Sequence, residues 1–336
     1  MELNLPGTFN EVIPLDDDSR IGQARRRARQ LAESIGFDET EAGRAALVAT
    51  ELATNVLKHA QSGELHFRVI PGRAGQGVEL IAIDRGPGFD VHRCLRDGFS
   101  TGGTPGQGLG AISRQSQVLD VYSDERGSVV LARLFPRGVS DLRVGMNQHP
   151  MRNESACGDI WHLALSGPRL SALVIDGLGH GEDAHVAARC GGEAFAQRPF
   201  DHPDGLMADM HRAMNGTRGG AVAIAQYDAG NHTLQFAGIG NIGARLITPQ
   251  GSRGLASHPG IVGVQYRKTH TFTYADAKDQ LLIMYSDGLQ SRWDLKDYPG
   301  LAMQHPATVA AVLFRDFCRG RDDVTVIAVD LELLNG

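Results

Sequence analysis

Cysteine is scarce and scattered. The 336 residues hold four, Cys94, Cys157, Cys190 and Cys318, far apart and without a CxxC pair, a spacing that signals neither a disulfide framework nor a zinc knuckle. Long apolar runs are also missing. No stretch approaches the ~20 residues that span a bilayer, and the start, "MELNLPGTFN", lacks the basic-then-apolar order of a signal peptide. A cytoplasmic protein without a membrane partner is the expectation. Positive charge is in deficit too: the formal net charge is -6. The one basic run, "RRRAR" at 25–29, reads as a solvated helix face, so nucleic acid is not expected as a partner. With 42% hydrophobic and 21% charged residues, the composition excludes a disordered chain. The length favours two domains, each able to bury a core.

Glycine is abundant, 42 residues, gathered in short loops beside aspartates, where a backbone approaches a phosphate or a metal closely. The periodicity predicts a helix over 20–36 and a second after Phe37. Asp38 and Glu41 supply a capping box, and Ala42, Ala45, Ala46, Ala49, Leu52, Ala53, Val56 and Ala60 form a core-facing stripe. Strands are predicted at 64–70 and 77–83 with a Gly-rich turn between them, then a helix from Leu109 and strands near 118–123 and 128–135. Residues 136–150 lose periodicity and carry Pro136 and Pro150, which places a linker there. The expected domains are therefore 1–138 and 139–336. In the second, strands at 157–165 and 170–176 precede a helix over 182–195, alternating segments suggest antiparallel strands, and a helix over 307–318 leads into a last strand. Both halves read as α+β.

Within "ELATNVLKHA" (51–60), Glu51 and Asn55 lie one turn apart, opposite the alanine stripe, on a face shared with Leu47 and Val48. Taken alone, Glu51 would be a surface partner of Lys58. Two later segments change the weighing. "IAIDRGPGFD" ends a strand at Asp84 with Gly86 and Gly88 behind it, and "TGGTPGQGLGAISR" runs a glycine loop into a helix, an arrangement suited to phosphate. In this order the three resemble the motifs of the GHKL (Bergerat-fold) ATPases over about residues 10–136, most closely the RsbT-type anti-sigma serine kinases. That resemblance implies ATP with Mg²⁺. Asn55 would hold the metal, and Glu51 would orient or deprotonate the attacking serine hydroxyl. Asp84 would accept from the adenine amino group, Gly86 and Gly88 would let the chain pass the base, and Gly106, Gly108 and Gly110 would clasp the phosphates. Phosphoryl transfer asks for such parts on chemical grounds as well.

The second half places carboxylates beside apolar, strand-like runs: Asp159, Asp176, Asp287 and the pair Asp322-Asp323. One Asp-Gly is usually a turn, but several carboxylates at strand ends suit hard divalent cations. Together with "GTRGGAVAIA", "AGIGNI", "YSDGLQSRWDL" and "RGRDDVTVIAV", they resemble the PPM/SpoIIE metal-dependent phosphatases over about 145–331, particularly the RsbX type. The implied fold is a GHKL α/β sandwich followed by an α-β-β-α phosphatase sandwich. The implied site holds two Mn²⁺ or Mg²⁺ ions. Asp176 would bridge them, the Gly177 carbonyl would serve one, Asp287 and Asp322 would complete the second, and Asp159 would support the attacking water. Cys157-Gly158-Asp159-Ile160 departs from the family's Gly-Gly-Asp-Trp. His180 lies four residues after Asp176 rather than two, so it is given no acid role. Asp322 and Asp323 both remain candidates, with the motif position favouring Asp322. His162 and His185 read as structural.

The function so implied is a bifunctional regulator, a serine kinase and phosphoserine phosphatase acting on STAS-domain antagonists in a stressosome-like or sigma-factor partner switch. Two alternatives stand beside it: a phosphatase governed by a non-catalytic ATP-binding domain, and an anti-sigma binding module.

Overall fold

The computed structural model describes residues 2–91, 108–151, 154–248 and 250–332. The chain forms two compact units, and neither is contiguous. The first comprises Asn10–Leu142 with Met303–Asp316, and the second Met1–Phe9, Arg143–Ala302 and Phe317–Gly336. The division at 138/139 expected from the sequence therefore becomes an exchange of segments: fourteen residues from near the C-terminus complete the N-terminal unit, and the first strand of the chain completes the C-terminal one.

In the N-terminal unit an antiparallel sheet runs in the order Glu11–Leu15, Gly63–Arg73, Gly75–Asp84, Gly127–Leu134, Val118–Asp124, with Ser140–Asp141 paired to Gly63–Arg73. Helices Ser19–Ser34 and Glu39–Ala60 lie on one face. The second starts as its sequence dictates, with Asp38 accepting from the Glu41 amide and the Glu41 carboxylate returning to the Asp38 amide. The predicted stripe is buried except Ala60, against Leu65, Phe67, Leu80 and Ala82 of the sheet. Val48 joins that core, while Leu47 stays exposed, so the mixed face of this helix is narrower than the sequence suggested.

The opposite face of the sheet is polar yet buried: His66, Arg68, Glu79 and Arg133 are each at most 3% exposed. Helix Pro306–Phe317 belongs to this face. The His66 ring meets Phe314 edge-on, and Arg315 reaches Asp124 at 3.2 Å. Arg133 donates to Glu79 at 2.8 Å, to Asp141 at 2.7 Å and to the Leu142 carbonyl at 2.9 Å, while His305 pairs with Asp141 at 2.9 Å. This helix is apolar over most of its surface, and it supplies cover for the charged sheet face.

The C-terminal unit has two main antiparallel sheets. One runs Glu2–Pro6, Asp159–Ser166, Arg169–Gly177, Gly220–Asp228, Thr233–Ile239, Phe272–Tyr274; the other runs Gly251–Gly254, Gly243–Thr248, Leu281–Tyr285, Val324–Asp330, Val144–His149. Helices Glu182–Gln197 and Pro203–Ala213 cover the first, packing Ala187, Phe195, Leu206 and Met210 on Leu173, Ile175, Val222 and Ile224. The sequence reading had no helix at Pro203–Ala213, although Pro203 stands at its first turn and Leu206, Met207 and Met210 follow at helical spacing. Val144–His149 corrects the linker. It is a strand buried on both faces, with Asn147 and Gln148 0% and 3% exposed, so polar residues take buried positions and erase the apolar alternation.

Candidate functional site

Two groups of the singled-out residues come together, one in each unit. In the N-terminal unit Glu51 and Asn55 are half-buried, four residues apart on Glu39–Ala60, and so share a face. Helix Gly108–Gln115 begins against them: a Cβ added to Gly108 would lie 3.1 Å from Asn55 Oδ1. That contact is tight, so glycine eases the approach of this helix start to the carboxamide, and the first amides of a helix have no partner within it. Gly110 lies in the same first turn, while Gly106 lies outside the described residues.

Asp84 ends strand Gly75–Asp84. Its Oδ1 accepts from the Gly86 amide at 2.8 Å and from the Ser128 amide at 3.2 Å. Burial raises its pKa despite these two bonds. Gly88 has φ +71° and no room for a side chain, since a Cβ would fall 2.2 Å from the Asp124 carbonyl. The Asp84 carboxylate is thus oriented by backbone amides at the end of a strand, with glycine beside it, which suits recognition of one flat polar group.

In the C-terminal unit Asp159 and Asp176 are directly paired across adjacent strands. Asp159 is 2% exposed, and its Oδ2 accepts from Ser286 Oγ at 2.6 Å. Ser286 Oγ in turn accepts from the Thr325 amide at 2.9 Å, and Gln148 donates to the Asp159 carbonyl at 2.7 Å. Three segments therefore hold this residue, Ser286 and Thr325 on the side of its carboxylate and Gln148 at its backbone carbonyl. Asp287 follows Ser286 and accepts from Asn241 at 2.7 Å. Gly177 has no space for a side chain, as a Cβ would lie 2.3 Å from the Ala184 carbonyl.

The two adjacent aspartates separate cleanly. Asp323 is 3% exposed, and both its oxygens are occupied, by the Met151 amide at 2.7 Å and the Gly158 amide at 2.8 Å. It is an anchor that ties the Asp159 segment to the last strand. Asp322 is half-buried, and its Oδ1 accepts from the Asp323 amide at 3.0 Å.

These carboxylates feel one another. Burial, then the charges of Asp287 and Asp322, push Asp176 up to about 7. Burial and the Asp176 charge raise Asp159, and burial and Asp287 raise Asp322. Among the described residues no three of these groups stand close enough to form a ready-made ion site. The donor set nevertheless fits hard dications in kind: oxygen ligands converging from several segments, whose mutual repulsion a cation would relieve.

The positioning residues Ser286, Asn241 and Gln148 were missed in the sequence. Ser286 had a signal, its place beside Asp287; Gln148 had none, because its segment read as a linker.

Residues 13–134 match the model of the histidine kinase-like ATPase domain, and residues 166–332 match that of stage II sporulation protein E (SpoIIE). The chain is 35% identical over 104 residues to the serine/threonine-protein kinase RsbT of Bacillus subtilis (strain 168), covering 31% of this chain and 76% of RsbT. A solved structure described as "The bacterial stressosome: a modular system that has been adapted to control secondary messenger signaling" is similar at 26% identity with a TM-score of 0.52, over 55% of this chain and 97% of the other. One of RsbX in complex with magnesium is similar at 21% identity and a TM-score of 0.48, over 55% and 92%. No helix among the described residues is long and apolar enough to cross a membrane. The chain belongs to the histidine kinase-like ATPase family that includes RsbT, with a SpoIIE-type domain joined to it in one polypeptide.

Proposed function

We propose that the chain both phosphorylates and dephosphorylates serine on a protein partner, a STAS-domain antagonist of a stressosome-like or sigma-factor partner switch. The observation that carries the hydrolytic half is the pairing of Asp159 with Asp176 across adjacent strands, with Asp287 and Asp322 near enough for their charges to act on Asp176. The similarity to RsbT supports the transfer half.

In the N-terminal unit Asn55 would hold Mg²⁺ and the start of helix Gly108–Gln115 would meet the phosphates of ATP, with Gly106, Gly108 and Gly110 clasping them. Asp84 would accept from the adenine amino group, with Gly86 and Gly88 leaving space beside it. Glu51 would orient the serine hydroxyl and take its proton. In the C-terminal unit Asp176 would bridge two Mn²⁺ or Mg²⁺ ions. Asp287, Asp322 and the Gly177 carbonyl would complete their ligands, with Asp159 beside the attacking water. Such ions, when bound, neutralise phosphoryl charge and make water acidic enough to attack at neutral pH. The chain's own part is placement: Asp323 and Ser286 hold the strand ends, and Asn241 holds Asp287 until an ion competes for it.

The experiment uses the full chain with Mg-ATP and a STAS-domain protein. Serine phosphate should appear on the partner, and Glu51→Gln should lower its rate of appearance by about 10²–10⁴-fold while ATP still binds. Transfer at the wild-type rate would leave the N-terminal unit as an ATP sensor that governs the phosphatase.

A further inference from the structure

Beside the carboxylates, the C-terminal unit exposes apolar surface that its core does not require. Five large apolar side chains are exposed among the described residues, and two of them, Leu178 at 51% and Val264 at 56%, lie on either side of Gly219. The Leu178 amide donates to the Gly219 carbonyl at 2.9 Å. A Cβ on Gly219, whose φ is +72°, would lie 2.9 Å from Val264 Cγ2 and 2.9 Å from Ile261 Cγ2. This place is continuous with the candidate catalytic site: Leu178 follows Gly177, and Gly220 is the strand partner of Gly177.

Arg218 stands in the same lip. Its Nη1 would be 3.0 Å from a Cβ on Gly179, and its Nη2 donates to Asp183 at 2.6 Å. Both members of that pair are well exposed, 48% and 69%, and an exposed pair of this kind adds little to stability. A guanidinium has five N–H donors, and Asp183 takes one. The lip therefore offers apolar contact and a forked cation together, next to a site of opposite sign.

From this we infer that Leu178, Val264 and Arg218 form the recognition lip for the protein substrate, a folded domain that presents its phosphoserine beside apolar and acidic residues. The inference rests on the proposed phosphatase activity and names which surface reads its substrate. Charge complementarity selects this occupant. A phosphorylated, acidic segment is repelled by the carboxylates before it docks, and Arg218 is placed to offset that repulsion at the rim. A small aryl phosphate would reach the carboxylates without touching the lip.

The test compares two probes on the full chain with Mn²⁺, p-nitrophenyl phosphate and a STAS-domain protein phosphorylated on serine. Val264→Ser should raise KM for the protein about tenfold by removing one buried apolar contact, with kcat unchanged and the aryl phosphate hydrolysed as before. Arg218→Ala should act in the same direction and weaken the dependence of protein-substrate KM on salt. Equal rates of wild type and Val264→Ser on both probes would overturn the inference, as would equal losses on both. A changed oligomeric state in Val264→Ser, with the protein KM unmoved, would identify a self-association face instead and equally overturn it. A wild-type chain inert toward both probes would strike at the proposed function itself, a result distinct from all of these.

Discussion

The two units each bury a cluster of charged groups, and the clusters are built on opposite rules. Beneath helix Pro306–Phe317 the N-terminal unit places opposite signs in contact. Burial alone would favour the neutral forms, yet Glu79 and Asp141 hold the Arg133 guanidinium above its ordinary range. The His305 hydrogen bond and the Arg133 charge hold Asp141 below its own. In the C-terminal unit burial and neighbouring charge act in the same direction on Asp159, Asp176 and Asp322. A mixed cluster completes itself and locks layers together. A like-signed one is incomplete, and what it lacks is positive charge. Buried charge by itself says little about function, whereas the sign of the neighbours distinguishes a joint from a site.

Neutralising the member common to the like-signed cluster should have the largest effect. Asp176→Asn removes the carboxylate whose charge two ions would share, and Mn²⁺-dependent hydrolysis of p-nitrophenyl phosphate should be abolished while the full chain still binds ATP. Normal turnover in this variant, or turnover that survives EDTA, would make these aspartates turn residues and erase the distinction.

The mixed cluster should respond in stability instead. Arg133→Leu leaves Glu79 and Asp141 buried beside fewer partners and should destabilise the N-terminal unit by about 3 kcal/mol, read by urea denaturation. Replacing Glu79 and Arg133 together by leucine should recover much of that loss. If the single and double variants are equally unstable, the pair is not acting as a pair.

A smaller effect follows from pH. Asp176, ordinarily near 3.8 and raised to about 7 in the fold, binds its proton more tightly folded than unfolded. Its contribution to the stability of the ion-free chain is therefore full below about pH 4 and is lost as pH rises toward 7. A bound dication reverses that loss, because it selects the ionised form. The rise in Tm on adding Mn²⁺ should be greater at pH 8 than at pH 5. An equal rise at both, or the reverse order, would mean that the ion does not bind this cluster.

Much of the fold was readable along the chain. The capping box at Asp38 and Glu41, the alanine stripe after it and most strands are local patterns, and a local pattern carries its own signal. The aspartates of the C-terminal unit could be collected from the sequence because each adjoins an apolar run. Val144–His149 could not be read as a strand, since Asn147 and Gln148 are buried there and so occupy positions that composition assigns to apolar side chains. The choice between Asp322 and Asp323 was likewise out of reach. The two residues are chemically identical neighbours just before the last strand, and only the amides of Met151 and Gly158 show which of them is anchored.

By itself the sequence determined the periodicities, the caps, the glycine positions and which chemical groups were available. Tertiary structure alone decided that helix Pro306–Phe317 completes the N-terminal unit and that Glu2–Pro6 completes the C-terminal one. It also decided that one group of buried charges is balanced and the other is not. The reason is that pairing between segments up to 230 residues apart, as between Arg85 and Arg315, depends on which surfaces need cover once each sheet has formed. That need exists only in the folded chain.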